Sequence, residues 1–395
     1  MERSMSSLSI LFIRILKLGA TAYGGPGMIS QIKETAVHQY GWVKEGEFMR
    51  GLALCQLIPG ATMVQIVTYV GYRVRGIWGA LVAAIAFVLP AFIALLFLSA
   101  LYFKTQSLGF IQALFKGLGA IVVAILLNTC ITFGRSILKD WKVVLISVLS
   151  FFGFFLRWNI LLIFVLAAIA ALLLHPKGSQ TKNVPISEGL RWKGVKEREH
   201  LFLGLLAIFI CMILVISYLI DPKVTYLSLT LSKIGALAFG GGFTTIPMIQ
   251  YEMIDRYQWL STKEFLDGIA LGQITPGPVL ITSTFVGFKV AGLLGASMAT
   301  IGIFFPSFFI LILLIPYYDR LKGVESVRTI ERGILGSFIG MLGLLLYNFG
   351  RTALIDIPNV ILAGAAFFAL LKKVGLPYIL LSGGILSILF FGLLM

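Results

Sequence analysis

The sequence predicts an all-α integral membrane protein of two homologous helical repeats in inverted topology, with discontinuous helices broken at glycine and proline. Three observations predict it: a composition too apolar for a water-soluble domain, an internal repeat covering nearly the whole chain, and a reversal of loop charge between the two copies.

Of 395 residues, 58% are hydrophobic and 12% charged, and the mean hydropathy is +0.97, outside the soluble range. Apolar runs of spanning or near-spanning length occupy 77–103, 108–134, 201–220, 291–316, 333–349 and 377–394. Counting shorter runs such as 143–156 gives about thirteen crossings, or nearer ten if the short ones re-enter. The first apolar stretch contains Arg14 and Lys17 and no small-residue cleavage site, so it is expected to belong to the mature protein rather than to a signal peptide. The net charge of +15 resides in short loops between apolar runs, which points to orientation in a lipid bilayer and not to a nucleic-acid partner. Cys55, Cys130 and Cys211 have no metal-like spacing and are expected to be small buried hydrophobes; His38, His175 and His200 are scattered. No metal or cofactor is expected.

The repeat is specific. Residues 17–25 (KLGATAYGG) align with 233–241 (KIGALAFGG) at a shift of 216, with six of nine positions identical. At 217, Tyr40, Trp42, Glu47 and Phe48 match Tyr257, Trp259, Glu264 and Phe265, and ALCQLIPG (53–60) matches ALGQITPG (270–277). The shift then returns to 216, where Thr68, Gly71, Gly76, Gly79, Pro90 and Arg135 match Thr284, Gly287, Gly292, Gly295, Pro306 and Arg351. The chain therefore divides into a first repeat (1–174), a polar basic linker (175–200), an extra transmembrane helix (201–224) and a second repeat (225–395).

If each copy crosses the membrane an even number of times, the single added span inserts the second copy upside down. Loop charges agree. Arg73 with Arg75, and Arg135 with Lys139 and Lys142, flank a lone Lys104 in the first copy; in the second, lone Lys289 and lone Arg351 flank Arg320, Lys322 and Arg328. Arg157 likewise stands alone where the second copy has Lys372 and Lys373. By the positive-inside rule equivalent loops face opposite sides, and the linker is cytoplasmic.

The matched motifs mark a candidate site. Gly24, Gly25 and Pro26, and Gly240, Gly241 and Gly242, interrupt otherwise helical sequence, and such breaks leave backbone N–H groups at helix starts, where an oxyanion is favoured. Gln56, Pro59 and Gly60, and Gln273, Thr275, Pro276 and Gly277, make a second break in each copy; Thr68 and Thr284, with Thr62 and Thr282, offer hydroxyls. Gly76, Gly79, Gly292 and Gly295 are expected to serve helix packing. Arg73 and Lys289 are equivalent cations, either snorkelling anchors or anion ligands. Lys17 and Lys233, and Lys116 and Arg332, are duplicated cations that would suit an anion funnel. Glu34, Glu47, Glu252 and Glu264 are expected to structure interfacial loops, while Arg50 faces Asp267 in the alignment, so the copies differ there.

The segments Tyr23-Gly24-Gly25-Pro26 and Phe239-Gly240-Gly241-Gly242, with the repeated Gln-x-x-Pro-Gly, resemble the signature of the chromate ion transporter family in its long two-domain form, across nearly the whole chain. The resemblance implies secondary transport, with export of chromate from the bacterial cytoplasm across the inner membrane and hence chromate resistance. Sulfate is the structural analogue and the alternative cargo for a permease or channel. Tyr23 against Phe239 and Pro26 against Gly242 mean that the halves contribute unequally. No phosphate-loop motif for ATP is present. An intramembrane enzyme would need a carboxylate metal site or a nucleophile with its base, and the sequence offers neither, so no enzymatic activity is expected. The sequence leaves the oligomeric state open, with a homodimer among the alternatives.

Overall fold

The computed structural model describes residues 7–23, 26–174, 197–239, 242–317 and 325–392, and the elements described are all helical. The first copy contains α1 (Leu8–Thr21), α2 (Pro26–Lys33) prolonged by a π-helical turn (Glu34–Gln39), α3 (Glu45–Leu57), α4 (Thr62–Thr105), α5 (Gly109–Ile137), α6 (Trp141–Phe155) and α7 (Ile160–Leu174). After α8 (Glu197–Ile220) the second copy repeats the order. It has α9 (Pro222–Ala236), α10 (Thr245–Gln250) between a 3-10 turn (Gly242–Thr244) and a π turn (Tyr251–Arg256), α11 (Thr262–Ile274), a 3-10 turn (Val279–Ile281), α12 (Thr282–Leu314), α13 (Glu325–Ala353), α14 (Ile357–Leu371) and α15 (Leu376–Gly392). Local sequence sets the starts: Asp140 and Asp221 cap α6 and α9 by accepting from the amides two residues on, and Ser261 forms a capping box with Glu264.

The glycine breaks fold the chain back on itself. Glu47 meets Arg73, and the Tyr69 hydroxyl donates to the Glu47 carbonyl at 3.2 Å, so α3 runs antiparallel to the first arm of α4, with Pro59 and Gly60 at the tip. In the second copy Lys289 meets Glu264 at 2.6 Å, aligning α11 with the first arm of α12 in the same way. The preceding pair of segments also doubles back, since Arg14 lies over the Tyr40 ring at 5.2 Å and Lys233 reaches Glu252 at 3.1 Å. Arms of 13 to 15 residues, as in α1, α3, α9 and α11, span only about 20 Å, too short for a hydrocarbon layer of about 30 Å. Each of these four helices is one arm of a helical hairpin.

α4 and α12 each turn sharply again, at Arg75–Gly76 and Ala291–Gly292, where the glycines have φ of +61° and +55°. Gly76 and Gly292, expected to serve packing, are instead the residues on which the chain reverses, a conformation that side-chain-bearing residues strain to adopt. Gly79 and Gly295 do pack, each against the backbone of its partner Gly71 or Gly287 across the turn.

The direction of the two copies follows from the packing. The second arm of α4 (77–105) lies along the first arm of α12: Ala91 borders Gly277, Tyr102 borders Phe285 at 5.4 Å, and Phe103 borders Phe288 at 6.0 Å. Both run the same way, so the second arm of α12, counterpart of the 77–105 helix, runs the opposite way. The repeats are inverted.

Among the described residues five helices are long and apolar enough to cross a membrane, namely α4, α5, the Leu201–Ile220 part of α8, Val279–Leu314 and Arg328–Ala353; α6, α7, α14 and α15 are shorter apolar helices. The copies exchange these outer helices. The Gly117 amide of α5 donates to Ser387 of α15 at 2.9 Å, and Gly333 of α13 lies on Ala167 of α7, the equivalent contact. The outward faces carry exposed Phe97, Leu149, Leu219, Ile361 and Phe368, as contact with lipid requires. Cys55 is buried as expected and Cys130 partly so, but Cys211 is exposed on α8, because that helix packs along one side only.

Candidate functional site

The hairpin tips interlock across the repeats. The Gly60 amide donates to the Ala238 carbonyl at 2.7 Å, and the Gly277 amide donates to the Ala22 carbonyl at 2.7 Å. Ala22 and Ala238 are themselves equivalent positions, each preceding its copy's double glycine, so the two bonds are related by the pseudo-two-fold axis. Gly60 and Gly277 have φ of +138° and +117°, and a Cβ at Gly277 would strike Ala91. The Ala61 amide donates to the Ser307 hydroxyl at 2.7 Å, beside the Pro306 that mirrors Pro90. Within the second copy Gly242 abuts Val279 and Leu280, closing the ring of tips.

This arrangement commits the amides of Gly60 and Gly277 to the protein itself. Among the described residues the first-turn amides of α4, residues 62–64, have no preceding carbonyl within their helix to bond. Gly24, Gly25, Gly240 and Gly241 lie outside the described residues, as do most of the basic linker and the Arg320–Lys322 loop.

Around the tips, buried polar side chains are incompletely bonded. Gln273 Nε2, Thr68 Oγ1, Ser283 Oγ and Gln65 Oε1 are buried without hydrogen-bond partners. Such groups carry a desolvation cost of about 1–3 kcal/mol each, and a ligand that bonds them relieves it. Three of the four atoms can donate, which suits an anion. Other candidates are satisfied internally: Thr284 shares a hydrogen bond with Thr300 at 2.7 Å, Thr275 donates to the Gly272 carbonyl at 3.0 Å, and the Pro59 carbonyl accepts from Gln65 Nε2 at 2.8 Å. Pro276 is half-buried. Gln56 is exposed whereas its counterpart Gln273 is buried, so the two copies present different environments at equivalent positions. Gln65 and Ser283 are absent from the sequence expectation. The available signal was their position within a turn or two of each Pro-Gly break.

Arg73 and Lys289 lie at the open ends of the hairpins, about 20 Å from the tips along helix arms of that length. Their charges are met by Glu47 and Glu264, themselves an equivalent pair, so each cation clasps the open end of its hairpin, apart from the donors near the tips. Glu47 is 7% exposed, so Arg73→Ala removes the cation of a buried ion pair and is expected to cost about 3 kcal/mol. Lys289→Ala, in a wetter pair, is expected to cost about 1 kcal/mol. Thermal unfolding together with the substrate KM distinguishes the roles: lowered stability with unchanged KM identifies a clasp, and raised KM at unchanged stability would return these residues to the binding site. Lys233 is similarly held by Glu252, which also binds Arg256 at 3.0 Å, and Lys116 pairs with Asp356.

A cavity of about 640 Å³ opens between the end of α6, the π turn of the second copy and the last turns of α13, lined by Arg157, Arg351, Asn348, Thr352, Asp255 and Gln250 among others. Arg157 and Arg351 put two cations in its wall, and each belongs to the charge-poor loop of its copy.

Residues 9–173 and 225–388 match the model of a family described as Chromate transporter. An uncharacterized transporter of Methanocaldococcus jannaschii is 34% identical over 98% of this chain and 96% of its own. A chromate transport protein of Cupriavidus metallidurans is 28% identical over 98% of this chain and 94% of its own, and a probable chromate transport protein of Synechococcus elongatus is 29% identical over 97% and 96%. No solved structure matches.

Proposed function

Since the chain belongs to the chromate transporter family, we propose that it is a secondary carrier for a tetrahedral divalent oxyanion, chromate first and sulfate second, that exports its cargo from the cytoplasm by alternating access. The observation that carries this reading is the pair of symmetry-related tip bonds, Gly60 to Ala238 and Gly277 to Ala22, beside buried donors that lack partners. A hairpin tip of one copy held by the other copy's tip is a joint that can part on one side and close on the other. Inverted repeats make the two end states near mirror images.

In this reading the oxyanion lies against Gln273 Nε2, the hydroxyls of Thr68 and Ser283 and the first-turn amides of α4, where the helix dipole favours negative charge. The clasps Glu47–Arg73 and Glu264–Lys289 keep each hairpin rigid while it moves as a unit. Cargo leaves through the cavity of Arg157 and Arg351. An inside-negative potential drives a dianion outward by about 4.6 kcal/mol per 100 mV, twice the value for one charge, so ATP is not needed. Membrane insertion in a bacterial inner membrane and the absence of catalysis belong to the same proposal.

The test is uptake of labelled chromate and sulfate into inverted vesicles with and without a potential. Saturable, potential-driven accumulation is expected, and Gln273→Leu or Thr68→Val is expected to raise KM about tenfold, the loss of one hydrogen bond to a charged group. Flux that does not saturate and persists when the Gly60 and Ala238 tips are cross-linked through introduced cysteines would indicate a channel. No flux above empty vesicles for either anion would overturn the cargo assignment.

A further inference from the structure

Asp267 lies in the middle of α11, 2% exposed, and its Oδ2 accepts a 2.7 Å hydrogen bond from the Tyr102 hydroxyl. We propose that Asp267 is a proton-binding site that couples proton movement to the transport cycle, a proposal that rests on the carrier reading above. Two features of the geometry point to it.

The first is isolation. Tyr102 is ringed by Phe103, Phe115 and Phe285 at 4.9–5.4 Å, and among the described residues no cation forms an ion pair with the Asp267 carboxyl. The ionisable groups on the surrounding elements lie on α4, α5, α11, α12, α13 and α15. On α11 they are Lys263, whose charge acts on the carboxyl through space, and Glu264, and on α12 Lys289, which Glu264 already holds. α4, which carries Tyr102, adds Lys104 two residues on, with Arg73 and Arg75 by its sharp turn; α5 carries Lys116, paired with Asp356, and Arg135; α13 carries Glu325, Arg328, Glu331, Arg332 and Arg351; and α15 offers only Tyr378. An unpaired carboxylate in such a place is costly, whereas a carboxylic acid hydrogen-bonded to a phenol is not.

The second is location on the moving joint. Asp267 belongs to the hairpin of the second copy and Tyr102 to the spanning helix of the first, so their bond crosses the repeat interface. If the α11 hairpin swings away from the 77–105 helix to open the tips toward one side, the bond breaks and the carboxyl releases its proton to the water of that side; in the opposite state of the cycle it takes up a proton from the other side, so one proton crosses per cycle. The equivalent position in the first copy is Arg50, half-buried, so the device is present in one copy and not the other.

The experiment uses the full chain in proteoliposomes, with the potential clamped at zero and a pH gradient imposed, and reads the steady-state accumulation ratio of labelled chromate or sulfate. One coupled proton shifts that ratio about tenfold per pH unit of gradient. Wild type is expected to show this shift, and Asp267→Asn, which keeps an acceptor for Tyr102 but cannot ionise, is expected to equilibrate cargo without responding to the gradient. A wild-type ratio indifferent to the gradient, or an Asp267→Asn protein that retains the response, overturns the proposal. Absence of any wild-type flux would instead count against the carrier reading. Infrared titration of the same membranes reports on the carboxyl whatever the flux: an acid carbonyl band that disappears on raising the pH and is missing from Asp267→Asn supports the site, and no such band overturns it.

Discussion

Gly277→Val is expected to abolish transport, lowering flux by at least about 100-fold, while the protein still inserts into the membrane. The φ of +117° at this residue is strained for a β-branched side chain by roughly 1–3 kcal/mol. The added Cβ also strikes Ala91 on the first copy's spanning helix, so the tip is pushed off the Ala22 carbonyl that holds it. Gly60→Val is expected to act in the same way through Ser307 and Gln65. The substitution leaves the hairpin arms and their clasps untouched, which is why insertion should survive. Flux in vesicles and thermal unfolding, compared with Gly364→Ala, where the added methyl meets nothing within 4 Å, check both halves of the expectation. Near-normal flux in Gly277→Val would remove the tips from the mechanism.

Gly287→Leu is expected to fail earlier, at the level of folding. Gly287 and Gly295 lie backbone to backbone across the turn of α12, and any Cβ at Gly287 meets the Gly295 carbonyl and Ala299. Separating the two arms of α12 costs more than the roughly 1–3 kcal/mol typical of overpacking, because a backbone carbonyl cannot rotate away as a side chain can. Gly71→Leu, its counterpart against Gly79 and Ala83, is expected to behave alike. Size-exclusion profiles of the solubilised proteins should show aggregate or no peak for both, and a wild-type profile for Gly204→Ala on the outer face of α8. A monodisperse, active Gly287→Leu protein would mean that the turn is looser than the close approach of these glycines implies.

How far the sequence carries depends on the kind of interaction. Hydropathy, the 216–217 shift and the loop charges identify a membrane protein of two inverted helical copies, because burial in lipid and charge sorting act on composition alone. The same alignment singled out both Pro-Gly breaks and both double glycines, since a break in helical sequence is a local property. It also aligned Glu47 with Glu264 and Arg73 with Lys289, yet could not pair glutamate with cation. That pairing exists only because α3 folds back along α4, bringing residues 26 positions apart into contact.

What tertiary structure alone decided is therefore everything that depends on which segments turn back and which cross. Gly76 was indistinguishable from a packing glycine until the chain was seen to reverse on it. Gln65 and Ser283 became candidates only when burial left their polar atoms without partners, and Gly60 lost its free amide only because Ala238, from the other copy, lies against it. Asp267 was an unmatched position opposite Arg50 until Tyr102, 165 residues away, was found hydrogen-bonded to it. The sequence determined the parts, their duplication and their orientation, through hydrophobicity and charge, which are additive along the chain. The structure decided the partners, because hydrogen bonds and ion pairs inside a membrane depend on distances of a few ångströms between residues that the sequence holds far apart.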